Sequence, residues 1–278
     1  MNKYSGLHRR QLFHWIGEHI EEKDSGRKEL TDSQRKQYLE CLSGSLDNGI
    51  WVKPPRKPDG LLDFMVVRAD SPMACFTEWS VSDSTHHTRQ YGRLGLGFTR
   101  SYILKWGGRP VTYLPATKRD CATRSIIKVA DFLKDYGDES IQKHWRVISQ
   151  FLKPMRPAST TKKSKVNNQI EKIPKKSVPP GNKESTPKRS FGGVLPYLEE
   201  REWRIIYDGS KKGFKPMQEQ EANGFYLPYT KGKDLFTLVL PDFGTYSLLV
   251  KNRDLMKKLF SENQPPVTIL TLDDIDTF

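Results

Sequence analysis

The chain has 278 residues, 36% of them hydrophobic, with a mean hydropathy of −0.68 and a net charge of +13. This length suits one large domain or two small ones, and no apolar run approaches the roughly 18–20 residues that cross a bilayer. Three cysteines without paired spacing argue against a disulfide framework and a zinc finger. No apolar segment follows the N-terminal arginines, so we expect no signal peptide, no membrane contact and a cytoplasmic location.

The predicted elements of residues 1–155 alternate between strands and helices. The string LFHW at 12–15 fits either a short strand or the start of a helix. Thr31 or Asp32 is expected to cap a helix that runs to Leu46 and ends at Gly49. The remaining predictions here are strands at 64–67, 73–77, 94–98 and 111–114, and helices at 83–91, 99–106, 119–136 and 139–152.

A basic segment follows at residues 156–190. It holds ten Lys and Arg residues against two Glu residues, five prolines and no aromatic residue. Such a composition cannot bury enough apolar area to offset the entropy of ordering, so we expect a flexible insertion or linker. Two interpretations stay open: a solvated insertion, or an arm that binds phosphates through counterion release.

Residues 191–278 are expected to complete the domain that residues 1–155 begin. Strands are predicted at 202–207, 235–240, 246–250 and 267–272, and a helix from Asn252 to about Phe260. Short strands scattered among helices of unequal length predict an α+β fold rather than a regular βαβ ladder.

Several common site motifs are absent from the sequence, including the phosphate-binding GxxxxGK[ST] loop, the GxSxG nucleophile elbow and HExxH. The string GRLGLGF at 92–98 is not a GxGxxG that opens a helix, which argues against a nucleotide-fold dehydrogenase. Cys75, His86 and His87 could bind a metal, but they complete no known ligand spacing, so we expect no metal site.

Two candidate sites lie in the first half. His14 stands among aromatic residues, where a histidine is either a packed core residue or a functional one. The block at 75–98 brings Thr77 and Glu78 close in sequence to His87 and Tyr91, which would share one face of a helix. Its glycine-bearing strand could let a flat ligand approach the backbone; the alternative is a packed helix–strand corner.

A third candidate is LEEREWRIIY at 198–207. On a strand, Glu200, Glu202 and Arg204 would share one face. Such a cluster is costly unless it is exposed or paired. It is either a salt-bridge ladder on an edge strand or a catalytic carboxylate site that stabilises a ribosyl oxocarbenium ion.

At four strings the sequence resembles the AbiGi family of bacterial abortive-infection proteins. They are LFHW at 12–15, PMACFTEWSVSDSTHHTRQYGRLGLGF at 72–98, PVTYL at 110–114 and EREWRI at 200–205. The family is usually described as the antitoxin half of a phage-resistance pair. The resemblance therefore implies phage defence and a cognate toxin or antitoxin partner.

A second, fold-level resemblance is to DarT-like ADP-ribosyltransferases. It implies a split mixed or antiparallel sheet surrounded by helices, and NAD as a substrate. His14 would bind the adenosine ribose, Tyr91 or Tyr102 would stack on nicotinamide, and Glu202, oriented by Arg204, would hold the nicotinamide ribose. The expected catalytic residues are then Glu202, Glu200 and Arg204, and the expected NAD-binding residues are His14, Thr77, His87, Tyr91 and Tyr102.

The leading expectation is a phage-defence, toxin-like enzyme that transfers ADP-ribose from NAD to a macromolecule. The basic charge favours RNA or single-stranded DNA as the acceptor. The alternative is a non-enzymatic antitoxin, or a nucleic-acid-binding regulator of a toxin–antitoxin system. A third interpretation is a scaffold module whose basic segment docks to an acidic partner.

Overall fold

The computed structural model describes residues 11–20, 29–54, 71–78, 88, 91–115, 120–155, 201–209, 212–216, 224–260 and 265–275. Its strands are β1 (Gln11–Ile16), β2 (Ile50–Val52), β3 (Met73–Thr77), β4 (Leu94–Thr99), β5 (Arg109–Pro110), β6 (Thr112–Pro115), β7 (Leu152–Met155), β8 (Glu202–Ile206), β9 (Lys215–Pro216), β10 (Phe225–Leu227), β11 (Leu235–Leu240) and β12 (Thr268–Thr271). Its helices are α1 (Asp32–Asn48), α2 (Arg100–Lys105), α3 (Cys121–Tyr136), α4 (Glu139–Ser149), α5 (Phe243–Lys251), α6 (Arg253–Leu259) and α7 (Leu272–Ile275).

The centre of the fold is a seven-stranded sheet in the order β12-β11-β4-β1-β3-β8-β5. All neighbouring pairs are antiparallel except β11 and β12, which are parallel. Two smaller sheets, β2-β10-β9 and β6-β7, flank it. A mixed sheet with helices packed around it confirms the predicted α+β class. Strands from both sides of residues 156–200 pair within the large sheet, since β8 lies between β3 and β5.

The two faces of the large sheet carry different kinds of side chain, because neighbouring residues of a strand point to opposite faces. On the first face, Leu12, Leu96 and Phe76 are almost fully buried and belong to the main core, with Tyr38 and Leu42 of α1. The second face combines a smaller apolar cluster with polar and charged side chains. That cluster contains Met73 and Ile206 from the sheet, together with Leu114, Ile126, Ile127, Phe151 and Leu152.

Local signals in the sequence predicted α1 well. The Thr31 hydroxyl accepts a hydrogen bond from the backbone N–H of Gln34 at 3.2 Å, and the Gln34 side chain accepts one from the Thr31 N–H at 2.9 Å. Gly49, at φ +108°, ends the helix. The LFHW string lies in strand β1, which settles the choice left open between strand and helix.

One predicted element was wrong, and another ended too late. The strand expected at 246–250 is part of helix α5, whose first turn is capped by Asp242 accepting from the N–H of Thr245 at 2.7 Å. Apolar residues lie on several sides of this helix, so its sequence resembles the apolar run of a buried strand. The helix expected at 139–152 ends at Ser149, because the chain then pairs with β6 as strand β7.

Some predictions concern residues outside the described ranges. They are the strand at 64–67, most of the helix at 83–91 and the basic segment at 156–190. Within the described ranges, no helix is both long enough and apolar enough to cross a membrane.

Candidate functional site

The candidate site lies on the second face of the large sheet, where β3 and β8 run side by side. Their antiparallel register places Thr77 opposite Glu202 and Cys75 opposite Arg204. Directly opposed residues of such a pair share a face. The predicted alternation of β8 is thus confirmed for Glu202 and Arg204, while Glu200 lies outside the described residues.

Glu202 is buried between two cations. The Arg204 Nε donates to one carboxylate oxygen at 2.7 Å, and the Lys153 Nζ donates to the other at 2.8 Å. Arg204 also donates through Nη1 to the backbone carbonyl of Gln150. Glu202 and Arg204 are each only 6% exposed. Both carboxylate oxygens are therefore occupied by the protein's own cations, in a setting closed to solvent.

These contacts keep Glu202 ionised. Burial alone would raise its pKa, but the charges and hydrogen bonds of Arg204 and Lys153 outweigh burial and lower the pKa from 4.5 to about 2. A buried carboxylate paired in this way is fixed in position, and its negative charge is compensated. The arrangement is an enclosed ion-pair cluster, whereas one of the two alternatives from the sequence was a salt-bridge ladder on an edge strand.

The Cys75 thiol faces the same cluster. Its burial, and next the negative charge of Glu202, raise the pKa of the thiol to about 12. This raised pKa keeps Cys75 in its thiol form at neutral pH, whereas the nucleophilic form of cysteine is the thiolate.

Thr77 takes part in packing rather than in an open site. Its hydroxyl accepts a hydrogen bond from the Trp15 indole N–H at 3.2 Å, and Thr77 is buried. This bond fixes Trp15 against the second face of the sheet.

The glycines of β4 accommodate rings from the protein itself. A Cβ added to Gly95 would lie 2.7 Å from the Trp15 ring, and one added to Gly97 would lie 2.8 Å from the Phe13 ring. Both rings belong to β1, which pairs with β4 at these positions. Trp15 and Phe13 therefore fill the space beside these glycines, which the sequence had left open to a flat ligand.

His14 lies on the opposite face of the sheet from Glu202. It pairs with Leu96, whereas its neighbour Phe13 pairs with Thr77 and so shares the face of Glu202. The His14 Nδ1 donates to the carbonyl of Cys75 at 2.8 Å. Burial is the main reason that the pKa of His14 is lowered to about 4. A neutral histidine that joins β1 to β3 is a structural residue, and the sheet separates it from the carboxylate with which it was expected to act.

Two further predicted residues, Tyr102 and Tyr91, have other neighbours. Tyr102 is buried, stacks on Phe98 at 5.1 Å between ring centroids and donates its hydroxyl to the carbonyl of Pro228. Tyr91 packs beside Phe13 and Trp15. His87 lies outside the described residues. Of the six predicted site residues that lie in the described ranges, the pairing of β3 with β8 brings together Thr77, Glu202 and Arg204.

Glu78 forms a second polar cluster at the end of β3. Its carboxylate accepts from the Trp203 indole N–H at 3.1 Å and lies 3.5 Å from an Arg100 nitrogen. The Arg100 guanidinium also stacks over the Trp203 ring at 4.7 Å. Glu78 thereby anchors the end of β3 to β8 and α2.

Sequence reasoning missed Lys153 and Gln150. They stand about 50 residues before Glu202, in no motif, and only the fold brings them to β8. The one available signal was indirect: a buried strand with acidic residues needs cations from elsewhere. In the described part of the chain, no group of three His, Cys, Asp or Glu residues could hold a metal ion.

The comparisons with known proteins identify the family of this chain. The chain matches the model of the AbiGi family, described as an abortive phage resistance protein and antitoxin, over residues 57–224. This match covers more than half of the chain, and the chain belongs to the AbiGi family. No curated protein and no solved structure matches it.

The family corrects the leading functional expectation. A toxin-like ADP-ribosyltransferase is wrong, because the family is described as the antitoxin. The alternative expectation, a non-enzymatic antitoxin, agrees with it. An antitoxin family implies a cognate toxin as partner. The resemblance to DarT-like enzymes is supported by none of the comparisons.

Proposed function

We propose that this protein is an antitoxin that neutralises a cognate toxin by binding it, without catalysing a reaction. The family description supports the antitoxin role. The observation that carries the non-enzymatic part is the enclosure of Glu202. Its two oxygens already bind Arg204 and Lys153, and the cluster is buried.

An enzyme would need the Glu202 carboxylate, or another catalytic group, to contact its substrate. In ADP-ribose transfer the carboxylate must contact the ribose that develops positive charge. Opening the cluster to admit a ribose would remove a cation from a buried carboxylate, which costs about 3–5 kcal/mol. The enclosed cluster therefore fits a stable scaffold that binds its partner through its surface.

Stoichiometry distinguishes binding from catalysis. A neutraliser that works by binding must be present in at least equal amount to its toxin, whereas an enzyme can act when it is scarce. We would induce the toxin to several levels in cells and titrate this protein against each level, following growth and the amounts of both proteins. The protective amount should rise in proportion to the toxin.

Two results would contradict the proposal. Protection by an amount far below that of the toxin would indicate catalysis. Growth arrest by this protein alone would indicate a toxin. In parallel, the purified chain incubated with labelled NAD and with RNA, single-stranded DNA or protein should transfer no ADP-ribose.

A nucleic-acid contact is a second function, favoured only by charge. The segment 156–190 holds ten of the 46 Lys and Arg residues and two of the 33 acidic residues. Such a segment would bind phosphates without sequence preference. This contact would let the antitoxin act as a regulator on nucleic acid, in addition to binding its toxin.

A further inference from the structure

The helices α3 and α4 form a hairpin that leaves large apolar side chains exposed. The inner side of α3 packs on the large sheet through Ile126 and Ile127, which join the cluster of Met73 and Ile206. Five large apolar residues of the hairpin face solvent instead. We call them the hairpin stripe: Val129 (46% exposed), Phe132 (60%), Tyr136 (78%), Ile141 (45%) and Ile148 (55%).

The spacing of these residues places them on one side of each helix. Val129, Phe132 and Tyr136 are separated by three and four positions, so they share one side of α3. Ile141 and Ile148 are seven apart and share one side of α4. Phe132 and Tyr136 also touch each other, with ring centroids 5.2 Å apart.

Such a surface has the properties of a protein-binding site. Three-and-four spacing of apolar side chains is the pattern that accepts another helix. Aromatic side chains on rigid elements supply most of the energy at many interfaces. Apolar residues scattered singly are normal on a protein surface, whereas a row such as Val129, Phe132 and Tyr136 on one helix is more typical of a binding surface.

The charge of the hairpin distinguishes a protein partner from a nucleic-acid partner. Residues 120–149 contain five Lys and Arg residues and five Asp and Glu residues, so the hairpin has no net charge although the chain carries +13. A nucleic-acid surface needs an excess of positive charge. An apolar, neutral hairpin matches a protein surface that is itself apolar and close to neutral.

We propose that the hairpin stripe is the surface through which this protein binds its cognate toxin, and that the toxin presents an apolar, nearly neutral helix to it. This inference rests on the proposed antitoxin function. It assigns that function to an exposed surface of the hairpin rather than to the buried carboxylate cluster, and it predicts the chemistry of the partner's contact surface.

The test uses the full chain and its purified cognate toxin. We would measure the affinity of wild type and of Phe132→Ser and Tyr136→Ser by calorimetry, with thermal melts to check folding. Each substitution removes an exposed aromatic side chain, so the fold should be retained. Each should weaken toxin binding by about 30-fold or more. Phe243→Ser is the matched control, because Phe243 lies on α5 with 61% exposure against 60% for Phe132; it should change the affinity by less than about twofold.

The outcomes separate the two proposals. Tight toxin binding by wild type and by both hairpin variants alike would overturn the hairpin stripe and leave the antitoxin function standing. No binding of the toxin by wild type would overturn the antitoxin function itself. Sedimentation supplies the third outcome: a wild-type dimer that Phe132→Ser dissociates, with toxin binding unchanged, would make the stripe a contact between two copies of this chain.

Discussion

The Lys153 Nζ lies 2.8 Å from a carboxylate oxygen of Glu202, and this contact joins β7 to β8, a strand of the large sheet. Arg204 completes the link, because it binds both Glu202 and the Gln150 carbonyl just before β7. The same two residues, Lys153 and Gln150, directly follow helix α4. The buried ion pairs therefore connect the end of the α3–α4 hairpin to the large sheet.

Glu202→Gln should destabilise the fold strongly. The substitution leaves Arg204 and Lys153 buried without their counter-charge, and breaking a buried pair costs about 3–5 kcal/mol. Urea unfolding would measure the loss. Glu40→Gln is the control, since Glu40 is exposed on α1 and surface substitutions usually stay within about 0.5 kcal/mol.

The double variant Glu202→Gln with Lys153→Met provides a sharper check. Removing one orphaned cation together with the carboxylate should recover part of the stability lost in Glu202→Gln alone. If the two losses simply added, or if Glu202→Gln matched the wild type, the cluster would not have the structural role assigned to it.

The positions of Glu202 and Arg204 could be predicted from the sequence, because alternation along one strand is a local property. The contact with Lys153 could not, since it depends on how distant segments meet. The same holds for His14: its place relative to Glu202 depends on the pairing of β1 with β3. Helix α1 was predictable because Thr31 supplies its capping signal within a few residues.

Folding stability should depend on pH through His14. Its pKa is about 4 in the folded protein and ordinarily 6.5, mainly because of burial. Between these values the unfolded chain takes up a proton that the folded chain does not. The contribution of His14 to the free energy of unfolding should therefore be fully present above pH 6.5 and decrease as the pH falls towards 4. Below pH 4 this contribution should no longer change with pH.

The substitution His14→Asn isolates that contribution. An asparagine amide can donate to the Cys75 carbonyl much as Nδ1 does, but it does not titrate. Urea unfolding of wild type and variant at closely spaced pH values should show a shallower decline for His14→Asn between pH 6.5 and 4. Equal slopes would mean that His14 titrates alike in the folded and unfolded chains.

Gly95→Ala should destabilise the sheet, because the new methyl group would lie 2.7 Å from the Trp15 ring. Overpacking of this kind costs about 1–3 kcal/mol. The control is Gly44→Ala within α1, where nothing lies within 4 Å of the added Cβ; alanine there should stabilise by up to about 1 kcal/mol. Thermal melts measure both. A neutral Gly95→Ala would mean that the Trp15 ring can move away from β4.

The glycines of β4 also illustrate a limit of sequence reasoning. A strand with glycine at alternate positions indicates that something large approaches its backbone. The pattern does not say whether that group belongs to a ligand or to the chain. Here the rings of Phe13 and Trp15 occupy the space, about 80 residues before the glycines in sequence.

Deletion of residues 156–190 should separate nucleic-acid binding from toxin binding. The segment carries a net charge of +8, from ten Lys and Arg residues and two Glu residues. If it binds phosphates, its removal should weaken the affinity for RNA and single-stranded DNA and reduce the dependence of binding on salt, since each lost phosphate contact lowers the slope by about 0.7 for single strands. Toxin binding should persist, because the hairpin stripe lies in α3 and α4.

Titrations at several salt concentrations, for wild type and the deletion variant, measure the slopes. An unchanged slope would reduce the segment to a linker, and a loss of toxin binding with the fold intact would place the toxin contact in the segment instead of the hairpin.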